Sequence, residues 1–427
     1  MSFGRGKAQV WPIFWVLLFA TMMTAHAEPP VTWIDPATGH RVWRLSSEPD
    51  SSGLYFNLNA CTPDGRTMVY IAPDGIHALD LATRKTRLVV PNGTDHASVI
   101  SVGERTGALF FLRAEPGSDP AAKRRAIFKA NLTTGAITHV AVLPPGTGMP
   151  TINADETLAA SAYEEGPAKA ALDYGSGAKP ALGPDGKPLT GGLVQPANKG
   201  DMMKRRLAAH IPLALFTLDL RNGVVATRLH STDWLSHFQF SPTDPALLMY
   251  CHEGPWQEVD RIWLIHADGS GNLLVHRRAM EREIAGHEFW GADGRTIWYD
   301  LQTPMGRDFW LAGYEPQTDT RIRYHLRRDE WSIHYNVSDD GRLFCGDGGD
   351  PGPQGRNAGA KWIELLRPQS EGGQAILAAE RLVDMTKHDY RQEPNVRFTP
   401  DGKMVVFTGN IFGRSYLFGV EVAKAKP

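Results

Sequence analysis

The stretch Pro63-Asp64-Gly65-Arg66-Thr67-Met68-Val69-Tyr70-Ile71-Ala72 couples a tight-turn signal to an apolar run of strand length. Pro and Asp set and cap such a turn, Gly takes the backbone angles other residues resist, and the β-branched and aromatic residues that follow favour a strand. The pattern returns along the chain. "GERTG" precedes "ALFFLRA", "NADE" precedes "TLAASAY", and Pro242-Thr243-Asp244 precedes "PALLMYC". Asp293-Gly294 precedes "RTIWYD", Asp339-Asp340-Gly341 precedes "RLFCGD", and Pro400-Asp401-Gly402 precedes "KMVVFTG". Most of these units lie roughly 40 to 50 residues apart, the period of a propeller blade. Many carry a second turn after another strand, as in "LDLATRKT", "ANLTTGAI", "LDLRNGVV" and "IHADGSGN". Helical periodicity is nearly absent. The expected fold is all-β, a seven-bladed β-propeller, because radial closure protects sheet edges. Residues 31–47, "VTWIDPATGHRVWRLSS", form an extra strand pair able to complete the last blade.

One spacing breaks the period. About 90 residues separate "NADE" from Pro242-Thr243-Asp244, and the excess maps to about 166–204, rich in Gly, Pro, Ala and Lys. That segment reads as a long inserted loop. At the other extreme, Arg5 and Lys7 precede an apolar run from about Trp11 to Met23, and Ala25-His26-Ala27 precedes Glu28. This is the pattern of a cleavable secretory signal over residues 1–27, leaving 28–427 as a single propeller domain in the periplasm or medium. The apolar run is shorter than the ~20 residues a membrane helix needs, so no membrane partner is expected after cleavage. A net charge of −2 gives no general attraction to nucleic acid. Cys61, Cys251 and Cys345 are odd in number and sit in or beside apolar runs, as buried thiols do.

Polar clusters concentrate in the second half: His237, His252-Glu253, Asp260-Arg261, His287, His334, and the run His388 to Asn395. His237, His287 and His334 each precede the turn of their own unit by a similar interval. In a propeller such equivalent positions surround the central axis on one face, so the three histidines are expected to converge. A lone His beside aromatics is more often structural; three at matched positions shift the balance toward function. "GDGGDPGPQG" (346–355) lacks the acidic spacing of a calcium loop and reads as a plain loop. There is no serine-hydrolase elbow, P-loop or dinucleotide fingerprint.

At these residues the sequence resembles the oligogalacturonate lyases, propellers that cleave pectic oligouronides by β-elimination. The resemblance is carried by "DPATGHRVWRLS" (35–46), "YFNLNACTPDG" (55–65), "CHEGPWQEVDRIW" (251–263), "GHEFW" (286–290), "SIHYNVSDDGRLFCGDGGD" (332–350) and "FTPDGKMVVFTGN" (398–410). It implies that His287 is the general base and that Arg261 holds the reacting carboxylate. His237 and His252 would line the substrate site, and His334 would ligate a divalent cation, manganese first, with calcium or magnesium as alternatives. The family completes that cation site with a Gln and an H-P-H pair. This chain has Tyr390 at the first and Glu393-Pro394-Asn395 at the second. Glu393 and Asn395 alternate onto one strand face and offer oxygens to a hard cation, with His388 and Gln392 as substitutes. Typical members also lack a signal segment. The implied substrate is a uronic-acid oligosaccharide. Two other readings stay open: an exported TolB-like propeller that binds without turnover, and a glycoside hydrolase using a carboxylate pair such as Glu253 and Glu288 across the axis.

Overall fold

The computed structural model describes residues 28–118, 124–165, 199–349 and 361–426. The expected signal segment, 1–27, and most of the expected insertion, 166–198, lie outside them. Among the described residues the strands assemble into seven blades of antiparallel sheet. Blade 1 contains Thr67–Ala72, Gly75–Asp80 and Thr86–Pro91, with Ser52 and Cys61 bridged to its inner edge. Blades 2, 3 and 4 begin with Ser98–Val102, Thr151–Ile152 and Trp234–Phe240. Blades 5 and 6 begin with Ile284–Trp290 and Tyr335–Val337, and one parallel bridge, His325 to Ile376, links their outer strands. Blade 7 is built from Arg397–Phe398, Met404–Phe412 and Arg414–Lys424, then closed by His40–Arg44 and Thr32–Ile34 from the N-terminal side. The N-terminal pair therefore completes the ring as the sequence suggests.

The repeated turns have one chemistry. Asp64, Asp293, Asp340 and Asp401 each accept the backbone N–H two residues later, and Thr62, Ser338 and Thr399 donate their hydroxyls to the Asp of their own turn. Such local bonds satisfy donors that the bend strips from the sheet ladder. The residue opening each turn donates its N–H across it. These residues are Thr62, Gly103, Asn153, Ser241, Gly291, Ser338 and Thr399, one per blade. They give a common register for the seven inner strands.

One expectation is corrected. The insertion does not stay loop to residue 204: Lys199–Ala209 is an α-helix. Its Met, Lys, Arg, Leu and Ala content favours helix, and Arg206 anchors it by pairing with Glu164 and lying over the Trp234 ring. The three cysteines are free, Cys251 and Cys345 buried and Cys61 half-buried.

Candidate active site

Four residues before each turn-opening residue stand Leu58, Val99, Met149, His237, His287, His334 and Asn395. The polar ones occupy four consecutive blades, 4 to 7. His237, His287 and Asn395 adopt left-handed backbone, with φ of 49°, 49° and 55°. His237 and His287 sit where the pairing register slips, between Ser236 and Gln239 and between Gly286 and Phe289. A bulge at the start of an inner strand re-aims a side chain, and a non-glycine residue with positive φ costs ~1–2 kcal/mol. Strain repeated at matched positions in adjacent blades points to a site.

The side chains do converge. The His287 and His334 rings lie 4.8 Å apart between centroids. Phe56 stacks on His334 at 4.5 Å and meets His287 edge-on at 6.2 Å. Tyr55 packs against His334 at 5.2 Å and His237 at 6.4 Å. Trp256 covers His287 from the far side at 4.8 Å. Gly286 permits that approach, since a Cβ there would stand 2.8 Å from the indole. The segment carrying Tyr55 and Phe56 enters from blade 1. It is held by buried Arg397, whose guanidinium donates to the carbonyls of Leu54, Tyr55 and Leu58. Burial pushes the Tyr55 phenol well up, and Glu393, Glu288 and Glu253 reinforce this.

His334 is fully buried and fixed by Asp347, also fully buried. One Asp347 oxygen accepts the His334 backbone N–H at 2.8 Å and the other accepts Nδ1–H at 2.8 Å. Asp347 also accepts the Asn395 backbone N–H at 3.2 Å. With the proton on Nδ1, Nε2 is a bare acceptor, buried without a hydrogen-bond partner among the described residues, and Glu393 Oε2 stands 3.7 Å from it. A carboxylate behind an imidazole is the arrangement that orients a metal-binding histidine. Among the described residues no group of three or more His, Cys, Asp or Glu is arranged to hold a metal. The remaining expected ligands are engaged elsewhere. The Asn395 carbonyl accepts the Phe56 N–H and its amide donates to the Glu393 carbonyl. Tyr390 donates to the Asp347 carbonyl. His388 donates from Nε2 to the Gln392 carbonyl and accepts the Asn410 N–H at Nδ1, so it is structural. The Gln392 side-chain oxygen accepts from Asn410 at 3.4 Å. The donor pair His334 Nε2 and Glu393 fits a cation bound from one side, its shell completed by water or substrate oxygens.

Arg261 departs from its expected place. It is 3% exposed, and its guanidinium donates to both oxygens of Glu253, at 2.7 and 3.3 Å, and to Glu288 at 3.2 Å. It therefore neutralises protein carboxylates below the site instead of presenting a free fork to a substrate carboxylate. Burial alone would raise the Glu253 carboxyl, but Arg261 and His237 hold it well below the usual range. That also removes the hydrolase pairing: Glu253 and Glu288 share one guanidinium and do not face each other across a cleft. His237 joins the cluster, Nε2 3.2 Å from Glu253 Oε2. His252 does not: it stacks on Trp263 at 4.8 Å and pairs with Asp233 at 3.0 Å. Alternation explains this, since Glu253 and His252 are neighbours on one strand and point to opposite faces.

Residues not singled out from sequence are Tyr55, Phe56, Trp256 and Asp347. Asp347 had a signal, an acid following a strand directly after the His334 turn, hidden in a Gly-rich stretch.

The model of the family described as oligogalacturonate lyase matches residues 208–425. Oligogalacturonide lyase of Pectobacterium atrosepticum is 30% identical over 218 residues, 49% of this chain and 55% of that protein. Oligogalacturonate lyase of Dickeya dadantii is 29% identical over 216 residues, again 49% and 55%. The chain thus aligns with about half the length of these curated relatives. Among solved structures, an oligogalacturonate lyase in complex with manganese superposes with a TM-score of 0.71 at 22% identity, over 92% of this chain and 96% of that one. Oligogalacturonate lyase from Vibrio parahaemolyticus gives 0.69 at 20%, with the same coverage. The fold is shared along nearly the whole chain, and the family match covers the blades that carry the histidines: this chain belongs to the oligogalacturonate lyase family.

Proposed function

We propose that the protein is a lyase that cleaves uronic-acid oligosaccharides of the oligogalacturonate type by β-elimination. The observation that carries this reading is the convergence of His287 and His334 from adjacent blades, one on strained backbone and the other locked by Asp347. Elimination breaks the C5–H bond and the C4–O4 bond of a uronate and leaves a C4=C5 double bond. The C5 proton is weakly acidic because the ionised carboxylate resists becoming an enediolate. Imidazole, whose ordinary pKa lies near neutrality, is a suitable kind of base for its removal; His287, half-buried against Trp256 and Phe56, takes that role by position. Trp256 and Phe56 pack against its ring from two sides.

A divalent cation, manganese as in the superposed lyase, would be held by His334 Nε2 and Glu393. When bound it would supply positive charge opposite the substrate carboxylate. Asp347 keeps His334 in the tautomer that binding needs. Arg261 sets the charge of the floor through Glu253 and Glu288. The leader-like residues 1–27 support export to the periplasm or medium, which cell fractionation with an N-terminal sequence of the mature protein checks.

The direct test is ultraviolet absorbance of unsaturated product from galacturonate, glucuronate and mannuronate oligosaccharides. Product from at least one, absent in His287→Asn, is expected; a folded protein silent on all of them would overturn the reading. Manganese titration followed by electron paramagnetic resonance should show binding weakened about 10- to 100-fold in Asp347→Asn.

A further inference from the structure

His237 and His287 hold the same register position in adjacent blades with the same left-handed φ of 49°. Their surroundings differ. His287 packs in T-shaped contact with the Trp256, Phe56 and His334 rings. His237 meets a carboxylate: its Nε2 lies 3.2 Å from Glu253 Oε2, and its ring is a third exposed. Glu253 is itself fixed by Arg261 and by the Ser236 hydroxyl at 3.3 Å. With Glu253 seated at Nε2, the other ring nitrogen of His237 is left to meet a substrate oxygen, the two-sided geometry a proton donor needs.

β-Elimination needs an acid as well as a base. A sugar alkoxide is a poor leaving group near neutral pH, and a positioned proton donor is worth about 10²- to 10⁴-fold. We propose that His237, held by Glu253, is the general acid that protonates the departing O4, an assignment that rests on the lyase reading above. The balance is complete. His287 takes the C5 proton, and that electron pair forms the C4=C5 bond. The C4–O4 bond breaks with its pair on oxygen, and O4 takes the proton from His237 Nδ1. His237 is left neutral with Nε2–H on Glu253, and exchange with solvent resets both rings. The charged and titratable groups facing His237 are Glu253, Arg261 and Glu288 behind it, and Tyr55, 6.4 Å away between ring centroids.

Leaving-group dependence tests this. His237→Asn suits the left-handed φ, which Asn tolerates; circular dichroism verifies the fold. Rates are compared on a uronide whose C4 substituent is a sugar and on one whose C4 substituent is nitrophenolate, which departs without a proton. The expected result is a loss of about 10²- to 10⁴-fold on the sugar and under about tenfold on the nitrophenyl ether. His287→Asn should lose equally on both. Equal loss on both substrates in His237→Asn, or loss on neither, overturns the acid assignment while leaving the lyase intact. No product from either substrate with the wild type overturns the lyase reading, and the acid assignment falls with it.

Discussion

Blades 1 to 3 and blades 4 to 7 share one backbone plan and differ in what they place at one position. In the first group it holds Leu58, Val99 and Met149; in the second, His237, His287, His334 and Asn395. The position is apolar in the first group, and in the second it carries the polar side chains that converge on the candidate site. Both groups slip register near it, since Val99 also borders an irregular pairing, to Ser101. Positive φ appears only in the second group. The irregularity is thus architectural, and the strain is local to candidate chemistry.

The largest contrast should be in turnover. His287→Asn is expected to lower the rate of unsaturated product formation by ~10³-fold, within the range for removing a general base. Met149→Ala, at the matched position of blade 3 and 42% exposed, should leave the rate within about twofold. A large loss at Met149 would break the division between the two groups.

Next comes the joint between them. Arg397 of blade 7 is buried, has no carboxylate partner among the described residues, and binds three carbonyls of the blade 1 segment that carries Tyr55 and Phe56. Arg397→Leu leaves the Leu54 and Leu58 carbonyls without that donor, at ~1–3 kcal/mol each, while the Tyr55 carbonyl keeps the Leu58 N–H. Denaturant unfolding should show a loss of at least ~2 kcal/mol, with turnover falling alongside it because the aromatic wall of His334 loosens. Full stability in that variant would mean the two groups are joined elsewhere.

Much of this division was legible in the sequence. The Asp-capped turns announce themselves, so blade number and ring closure followed from spacing. The matched histidines followed from the same register. What was not legible depended on distance in space. Arg261 reads as the holder of a substrate carboxylate until Glu253 and Glu288 close on it. His252 and Glu253 read as one motif, but strand alternation separates them. Tyr55 and Phe56 belong to a unit that otherwise looks structural. Asp347 lies in a Gly-rich run where composition masks a residue that receives three hydrogen bonds. Nor could spacing show that Asn395 would use its carbonyl on Phe56.

Buried acids sharpen the comparison through pH. In blade 6, burial pushes the Glu364 carboxyl up to about 8, with Glu330 adding to it. A folded-state pKa raised above the unfolded one means the folded chain binds the proton more tightly. Stability from this group is present at low pH and is lost as pH rises from the ordinary carboxylate range through about 8. Glu364→Gln keeps the shape without the ionisation. It should flatten the fall of the thermal midpoint over that window and raise the midpoint at pH 8. An unchanged slope would place the pH sensitivity on Asp300 of blade 5 or Glu104 of blade 2, both pushed up to about 7 by burial.

The smallest expected effect bears most directly on why the two groups diverge. Val99 sits beside its irregularity on ordinary backbone, whereas His237 sits in its bulge at φ 49°. A β-branched residue resists that angle because its Cβ substituents crowd the following carbonyl, while Asn accepts it. His237→Val should therefore unfold ~1–2 kcal/mol more easily than His237→Asn, although both lack the imidazole and the pairing with Glu253. The difference between the two variants isolates backbone strain from the lost ion pair, which is common to both. If they are equally stable, the bulge relaxes to ordinary φ once the histidine is gone. The left-handed angle would then be imposed by the imidazole reaching Glu253, and the strain would belong to the side chain's contact instead of the blade.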